Sequence, residues 1–151
     1  MNAVLLRLAA LVATVAFSAA STSVLNRVYP RFEDVAVGEM VIPPNGHGGF
    51  TSFRSRDGIY LIFEEFAFPS HEEANVAFQN ILHGAERTLE REVLYDRDGR
   101  LVTGERVVFT FRAESGVEAT AIVSLDDTKL YEIASTSVRH ALSFERAHRR
   151  Y

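Results

Sequence analysis

Residues Thr88–Ser135, TLEREVLYDRDGRLVTGERVVFTFRAESGVEATAIVSLDDTKLYEIAS, decide the fold. The stretch alternates β-branched and charged residues and is broken by short polar turns, the pattern of an antiparallel meander. With Arg97-Asp98-Gly99 as a three-residue loop, Arg91 faces Glu105 and Glu90 faces Arg106, while Leu89 meets Val107. Opposite charges and apolar pairs then coincide in one register, each pair contributing about 0.2–1 kcal/mol. Closing Glu114-Ser115-Gly116 as a second such loop sets Arg112 opposite Glu118 and Thr110 opposite Thr120, with Phe109 and Phe111 against Ala121 and Ala119. A third loop, Asp126-Asp127-Thr128, places Val123 opposite Tyr131 and Ala121 opposite Ile133. One face of the meander is then apolar and the other mixed polar.

Working outward, Phe50–Arg56 and Ile59–Phe68 are β-prone runs separated by Asp57-Gly58, a hairpin signal. The second run is apolar on both parities, as in a strand covered on both sides. Ser70 with Glu73 three residues on forms a capping box, and Ala74, Ala77, Phe78, Ile81 and Ala85 follow at helical spacing before Gly84 ends the helix. Ser135-Thr136-Ser137 offers N-caps for a second helix bearing Val138, Ala141, Leu142, Phe144 and Glu145. The expected fold is α+β: a two-layer, mostly antiparallel sheet of five or six strands, in the order strand, helix, four-strand meander, helix. Both helices are expected on the apolar face or at its ends.

The N-terminal residues predict location. Arg7 precedes the apolar run Leu8–Phe17, and Ser18-Ala19-Ala20 supplies the small residues of a signal-peptidase site. The reading is a signal peptide over residues 1–20, cleaved after Ala20, with the product periplasmic or secreted. Retained, the same segment makes the chain a membrane-tethered accessory subunit. Residues 21–49 form an irregular approach in which Asp34–Ile42 adds a short strand, and residues 50–151 form the α+β domain. The formal net charge of −4 argues against a general nucleic-acid binder. Without cysteine there is no disulfide or thiolate nucleophile, so packing alone holds the domain together.

Motifs for chemistry fail one after another. His71-Glu72-Glu73-Ala74-Asn75 has the shape of a zinc helix, but Asn75 stands where the second histidine belongs. Asp96-Arg97-Asp98-Gly99 and Asp126-Asp127 lack the ligands of a calcium loop and read as turn chemistry. Asn45-Gly46-His47-Gly48-Gly49 reads as a flexible loop, with neither the lysine nor the following helix of a phosphate loop. No serine has a nucleophile-elbow context, and neither metal nor cofactor is expected. Glu64-Glu65 interrupts the most hydrophobic strand, so one carboxylate faces the apolar cover and needs a partner among Arg87, Arg91 and Arg106.

Leu89-Glu90-Arg91-Glu92, Gly104-Glu105-Arg106-Val107-Val108 and Leu130-Tyr131-Glu132-Ile133, with Ser135, His140-Ala141-Leu142 and Phe144-Glu145, resemble a loose set of small exported bacterial proteins of uncharacterised function. The likeness covers about half of the chain and implies no activity or functional residue. The element order is also distantly similar to that of PsbP-like domains, which implies a non-catalytic accessory or binding module.

The expected function is therefore an exported, non-catalytic binding or accessory domain of the bacterial envelope, its partner an envelope protein or a small ligand. Its contact surface is expected on an open sheet face around Arg106, Val108, Arg112, Glu118 and Ile122, or at His47. The competing expectation is a small hydrolase using Glu64 or Glu65 with His47.

Overall fold

The structure, a computed structural model, describes residues 32–148, with side chains from residue 36 onward. The predicted signal segment 1–20 lies outside the described residues. Seven strands form one antiparallel sheet: β1 (Phe32–Ile42), β2 (Gly46–Ser55), β3 (Tyr60–Ala67), β4 (Arg87–Tyr95), β5 (Val102–Arg112), β6 (Glu118–Asp126) and β7 (Lys129–Ser135). Helix α1 (His71–Leu82) follows β3, and α2 (Val138–His148) follows β7. The spatial order is β1-β2-β3-β7-β6-β5-β4, so α1 carries the chain from the middle of the sheet to its far edge. The hairpins β4-β5 and β5-β6-β7 then bring it back to pair β7 with β3.

The class is α+β as expected, but the sheet has seven strands rather than five or six. Three strands, not one, precede α1. The strand allowed for at Asp34–Ile42 spans Phe32–Ile42, and the glycine segment expected as a loop is the beginning of β2. The helices also divide between the two faces. Ala74, Ala77, Phe78 and Ile81 of α1 pack with Phe66, Val107, Phe109, Phe111 and Leu130. Ala141 and Phe144 of α2 pack with Phe53, Leu61, Val108, Ile122 and Ile133. The sheet therefore lies between two helices instead of beneath both. This follows from the parity of β3 and β5, each of which carries apolar side chains on both sides and so needs cover on both.

Local chemistry explains the ends of the elements. Ser70 Oγ accepts from the Glu73 backbone N–H at 3.2 Å, the cap read from sequence. Gly58, Gly99 and Gly116 all adopt positive φ in their hairpin turns, where a side chain is strained. The β5-β6 register is the predicted one, with Arg112 opposite Glu118 and Phe109 opposite Ala121. The β4-β5 loop is one residue longer than predicted, since the Asp96 N–H pairs with the Leu101 carbonyl. A bulge between Leu94 and Tyr95 adds a second residue to the offset, so Glu92, not Glu90, faces Arg106. Because a two-residue offset keeps each side chain on its own face, Arg91 still pairs with Glu105, now as a diagonal neighbour.

The β6-β7 loop is one residue shorter than predicted. Asp126 pairs with Lys129, and Asp127 takes the left-handed conformation at φ 54°. A one-residue slip exchanges the faces of a whole strand. Val123 consequently faces Glu132 rather than Tyr131, and Ala121 faces Ala134 rather than Ile133.

Candidate functional site: an open groove beyond the end of α2

Opposed residues of an antiparallel sheet share a face, and side chains alternate along each strand. The face bearing α2 therefore carries His47, Gly49 and Thr51 from β2, opposed on β3 by Ala67, Glu65 and Phe63. On β1 the corresponding positions are Val41, Glu39 and Val37. On β7 they are Lys129, Tyr131 and Ile133. Helix α2 runs along this face and stops where the imidazole of His148 lies 4.6 Å from the ring of Phe63 and 5.9 Å from that of Tyr131. Beyond that point β1, β2 and β3 are uncovered by any described element, and a groove of about 350 Å³ opens there. Val37, Thr51 and Phe63 form its apolar side, and His47, Glu65 and Lys129 its polar side.

Glycine shapes the floor. A Cβ on Gly48 would come within 1.8 Å of the Glu65 carbonyl oxygen, so β2 approaches β3 this closely only without a side chain there. Gly49 leaves a bare strip between Glu39 and Glu65, its opposed neighbours on either side. Ala67 leaves a similar low point between His47 and Lys129.

The polar groups of the groove are uncommitted. Among the described residues, no hydrogen bond or ion pair engages the side chains of His47, Glu65 or Lys129, and all three are exposed. Tyr131, opposite Glu65, has its phenol held above the ordinary value, first by burial and then by the carboxylates of Glu65 and Asp126. A carboxylate, an ammonium and an imidazole thus share one open surface. Such a set can bind a ligand carrying charges of both signs. Of the two carboxylates paired with His47 in the sequence reading, only Glu65 shares its face, because Glu64 points the other way.

The open face expected around Arg106 is not open. Arg106, Val108 and Ile122 are buried beneath α2, since their parity on β5 and β6 is that of the second core. The Arg106 guanidinium holds Glu145 of α2 in a bidentate pair, Nε donating to Oε1 at 2.5 Å and Nη2 to Oε2 at 2.7 Å. Its Nη1 lies 3.1 Å from Glu90 and 3.9 Å from Glu92, off hydrogen-bond alignment. Arg112 and Glu118 are exposed at the opposite end of the sheet, where Arg112 Nη1 donates to the Gly116 carbonyl at 2.9 Å and so ties its own hairpin.

Sequence reasoning missed Glu132. It stands directly opposite Glu64 on the α1 face, the two being 2% and 3% exposed. Neither carboxylate is without a partner, and the pair is buried in the fold rather than an open site. The signal that could have found it is the Asp127-Thr128 pair as a two-residue turn. Arg87, Arg91 and Arg106 do not answer Glu64 across the sheet: Arg106 is on the other face, and Arg91 is engaged by Glu105.

The remaining histidines of the described helices serve structure. His71 Nδ1–H donates to the Asp127 carbonyl at 2.9 Å, and His140 Nδ1 meets Ser137 Oγ at 2.8 Å in the first turn of α2. Among the described residues no group of three His, Asp or Glu side chains is arranged to hold a metal ion, and no helix is long and apolar enough to cross a membrane. Comparisons with protein-family models, curated proteins and solved structures found no match to this chain.

Proposed function

We propose that this is an exported, non-catalytic binding or accessory domain of the bacterial envelope whose contact surface is the groove beyond α2. One observation carries the surface: His47, Glu65 and Lys129 face a single groove with their side chains uncommitted. Buried polar groups that serve the fold are engaged by it, as Arg106 and Glu145 are, whereas these three are exposed and open to a ligand. The export half of the reading rests on residues 1–20. Expression of the full-length gene in a bacterial host, followed by intact-mass measurement and fractionation, tests it. A product lacking residues 1–20 in the soluble envelope fraction supports the proposal. An intact N-terminus in the membrane fraction replaces it with the tethered subunit. For the surface, partners captured from envelope extracts by the wild-type protein are compared with those captured by His47→Ala, Glu65→Gln and Lys129→Met. An unchanged set for all three variants refutes the assignment.

A hydrolase is the second reading, because Glu65 and His47 lie at diagonal positions of one face and line one groove. It requires the carboxylate and imidazole to come within hydrogen-bond reach of a bound substrate. Turnover of ester, amide or glycoside substrates that is abolished by both Glu65→Gln and His47→Ala would establish it over the binding module.

A further inference from the structure

The sheet ends in two edges, and their charges differ in what they would do to a second copy of the chain. Among the described residues nothing pairs with the outer side of β1 or of β4. Such an edge offers a row of free backbone donors and acceptors to another strand, and charged side chains are a common guard against it. A two-fold axis normal to the sheet joins an edge to its own copy with the strands antiparallel and every side chain still on its own face. On β4 that axis meets a charge at each central position. Centred on Glu90, Arg91 or Glu92, the pairing sets that residue against itself, and like charges directly opposed are destabilising. The guard is thin on β1, whose residues 36–42 carry a single charge, Glu39. Phe50 stands opposite Gly38 of β1 on the face bearing α1, half-buried. Its ring fills the place of the missing side chain, with Cε1 2.5 Å from where a Cβ would stand, so it leans over the outermost strand.

We infer that a second copy of this chain pairs with β1 edge to edge, antiparallel, with the two-fold axis at Gly38. The two seven-stranded sheets then run on as one. Phe50 selects the register. Neighbouring strands lie about 4.8 Å apart, so two rings seated over opposed glycines come within about 5 Å of each other, the range of an aromatic pair. An axis at Val37 moves the glycines two residues out of step, about 6.8 Å along the strands, and parts the rings. An axis at Glu39 opposes two carboxylates. With the axis at Gly38, Ala36 meets Met40 of the second copy beside the rings, and on the face bearing α2 Val37 meets Glu39 of the second copy. Val37 lines the groove, so the second copy brings a carboxylate to the groove's outer border. This inference is independent of the binding reading above, because it rests on the edge of β1 and not on His47, Glu65 or Lys129.

The test is sedimentation equilibrium of the protein purified from the bacterial host. A contact of one strand per copy belongs with the small, weak interfaces, so the expected dimer has a Kd on the order of 100 μM. Val37→Glu places a carboxylate opposite Glu39 of the second copy at two symmetric positions and weakens the dimer about tenfold. Val37→Lys removes the same valine but opposes Glu39 with a cation, and leaves Kd within about threefold of the wild-type value. Adding Glu39→Lys to Val37→Glu returns Kd to that same range. Far-ultraviolet circular dichroism verifies the fold of each variant. A protein that stays monomeric up to about 1 mM overturns the inference. Equal weakening by Val37→Glu and Val37→Lys overturns it too, as does a double variant no tighter than Val37→Glu, since this register alone sets Val37 against Glu39. Partners captured through the groove are read separately, so loss of the dimer leaves the groove assignment standing.

Discussion

Replacing Arg106 by methionine removes the guanidinium that fastens α2 to the sheet, and the geometry around it sets the size of the effect. Both hydrogen bonds to Glu145 are short, at 2.5 and 2.7 Å, and both side chains are buried. Removing the cation leaves Glu145 beneath the helix facing Glu90 and Glu92, with the attraction changed to repulsion. Loss of one partner from a buried pair costs about 3–5 kcal/mol, and this site belongs at the upper end. Glu145→Leu costs less, about 3 kcal/mol, because Arg106 keeps the two half-exposed glutamates near Nη1. The double change Arg106→Met with Glu145→Leu replaces the pair with apolar groups of similar volume and costs no more than about 2 kcal/mol, well below the sum of the single changes. Urea unfolding followed by far-ultraviolet circular dichroism measures all four corners of the cycle. In thermal melts the methionine variant loses roughly 4 °C for each kcal/mol. A loss below about 1 kcal/mol for Arg106→Met, or simple additivity in the double variant, refutes the view that this pair holds α2 in place.

The glycines separate two mechanisms by calorimetry. Gly48→Ala, whose Cβ meets backbone oxygen at 1.8 Å, costs at least about 3 kcal/mol, whereas Gly99→Ala, strained at φ 68° but facing open space, costs about 1–2 kcal/mol. Equal losses would contradict the close approach of β2 and β3. Asp96 has its carboxylate held below the usual range, chiefly by the Arg100 backbone N–H. Its contribution is present above the unfolded value near ~3.9 and is lost as pH falls through the lower folded value, so Asp96→Asn flattens the fall of stability below about pH 4. For Tyr131 the sign reverses. Its raised phenol supplies stability below the ordinary value near ~10 that disappears as pH rises through the folded value, and Glu65→Gln brings its tyrosinate absorbance to lower pH, only in part because burial is the larger cause.

The parts of the fold legible in the sequence are those set by short-range chemistry. Gly116 ends a three-residue turn with φ 82°, and from it the register of β5 against β6 follows residue by residue. Ser70, Glu73 and the small apolar stripe of α1 act within a few turns of the chain and were readable for the same reason. What was not legible depended on a single residue of loop length or on distant packing. Asp127 takes the left-handed conformation that glycine holds in the other turns, which shortens the turn expected over Asp126-Asp127-Thr128 and carries Glu132 to the opposite face. The placement of α2 is a tertiary choice between faces that both needed cover, and it closed the surface first expected to be open. His47 was singled out as a loop residue. The structure keeps it exposed but gives it neighbours, because β2 begins at Gly46.

The border of the groove is written along the strands themselves. Helix α2 has 11 residues, hence a length of about 16 Å, while a strand of 8 residues already extends about 27 Å. A helix this short cannot cover the face from end to end, and the strands change character where it stops. Along β3 the covered positions are Leu61 and Phe63, followed by Glu65 and Ala67. Along β7, read in the same spatial direction, Ile133 is followed by Tyr131 and Lys129. On β2, Phe53 under the helix is followed by Thr51, Gly49 and His47. On β3 and β7 the transition falls at one height, between Phe63 and Glu65 and between Ile133 and Tyr131, and on β2 it falls one row earlier, between Phe53 and Thr51. Solubility alone would be met by any polar residues beyond the helix. What distinguishes this end is that His47, Glu65 and Lys129 line one groove beside glycine and alanine with their side chains uncommitted, which is why the contact surface is proposed there.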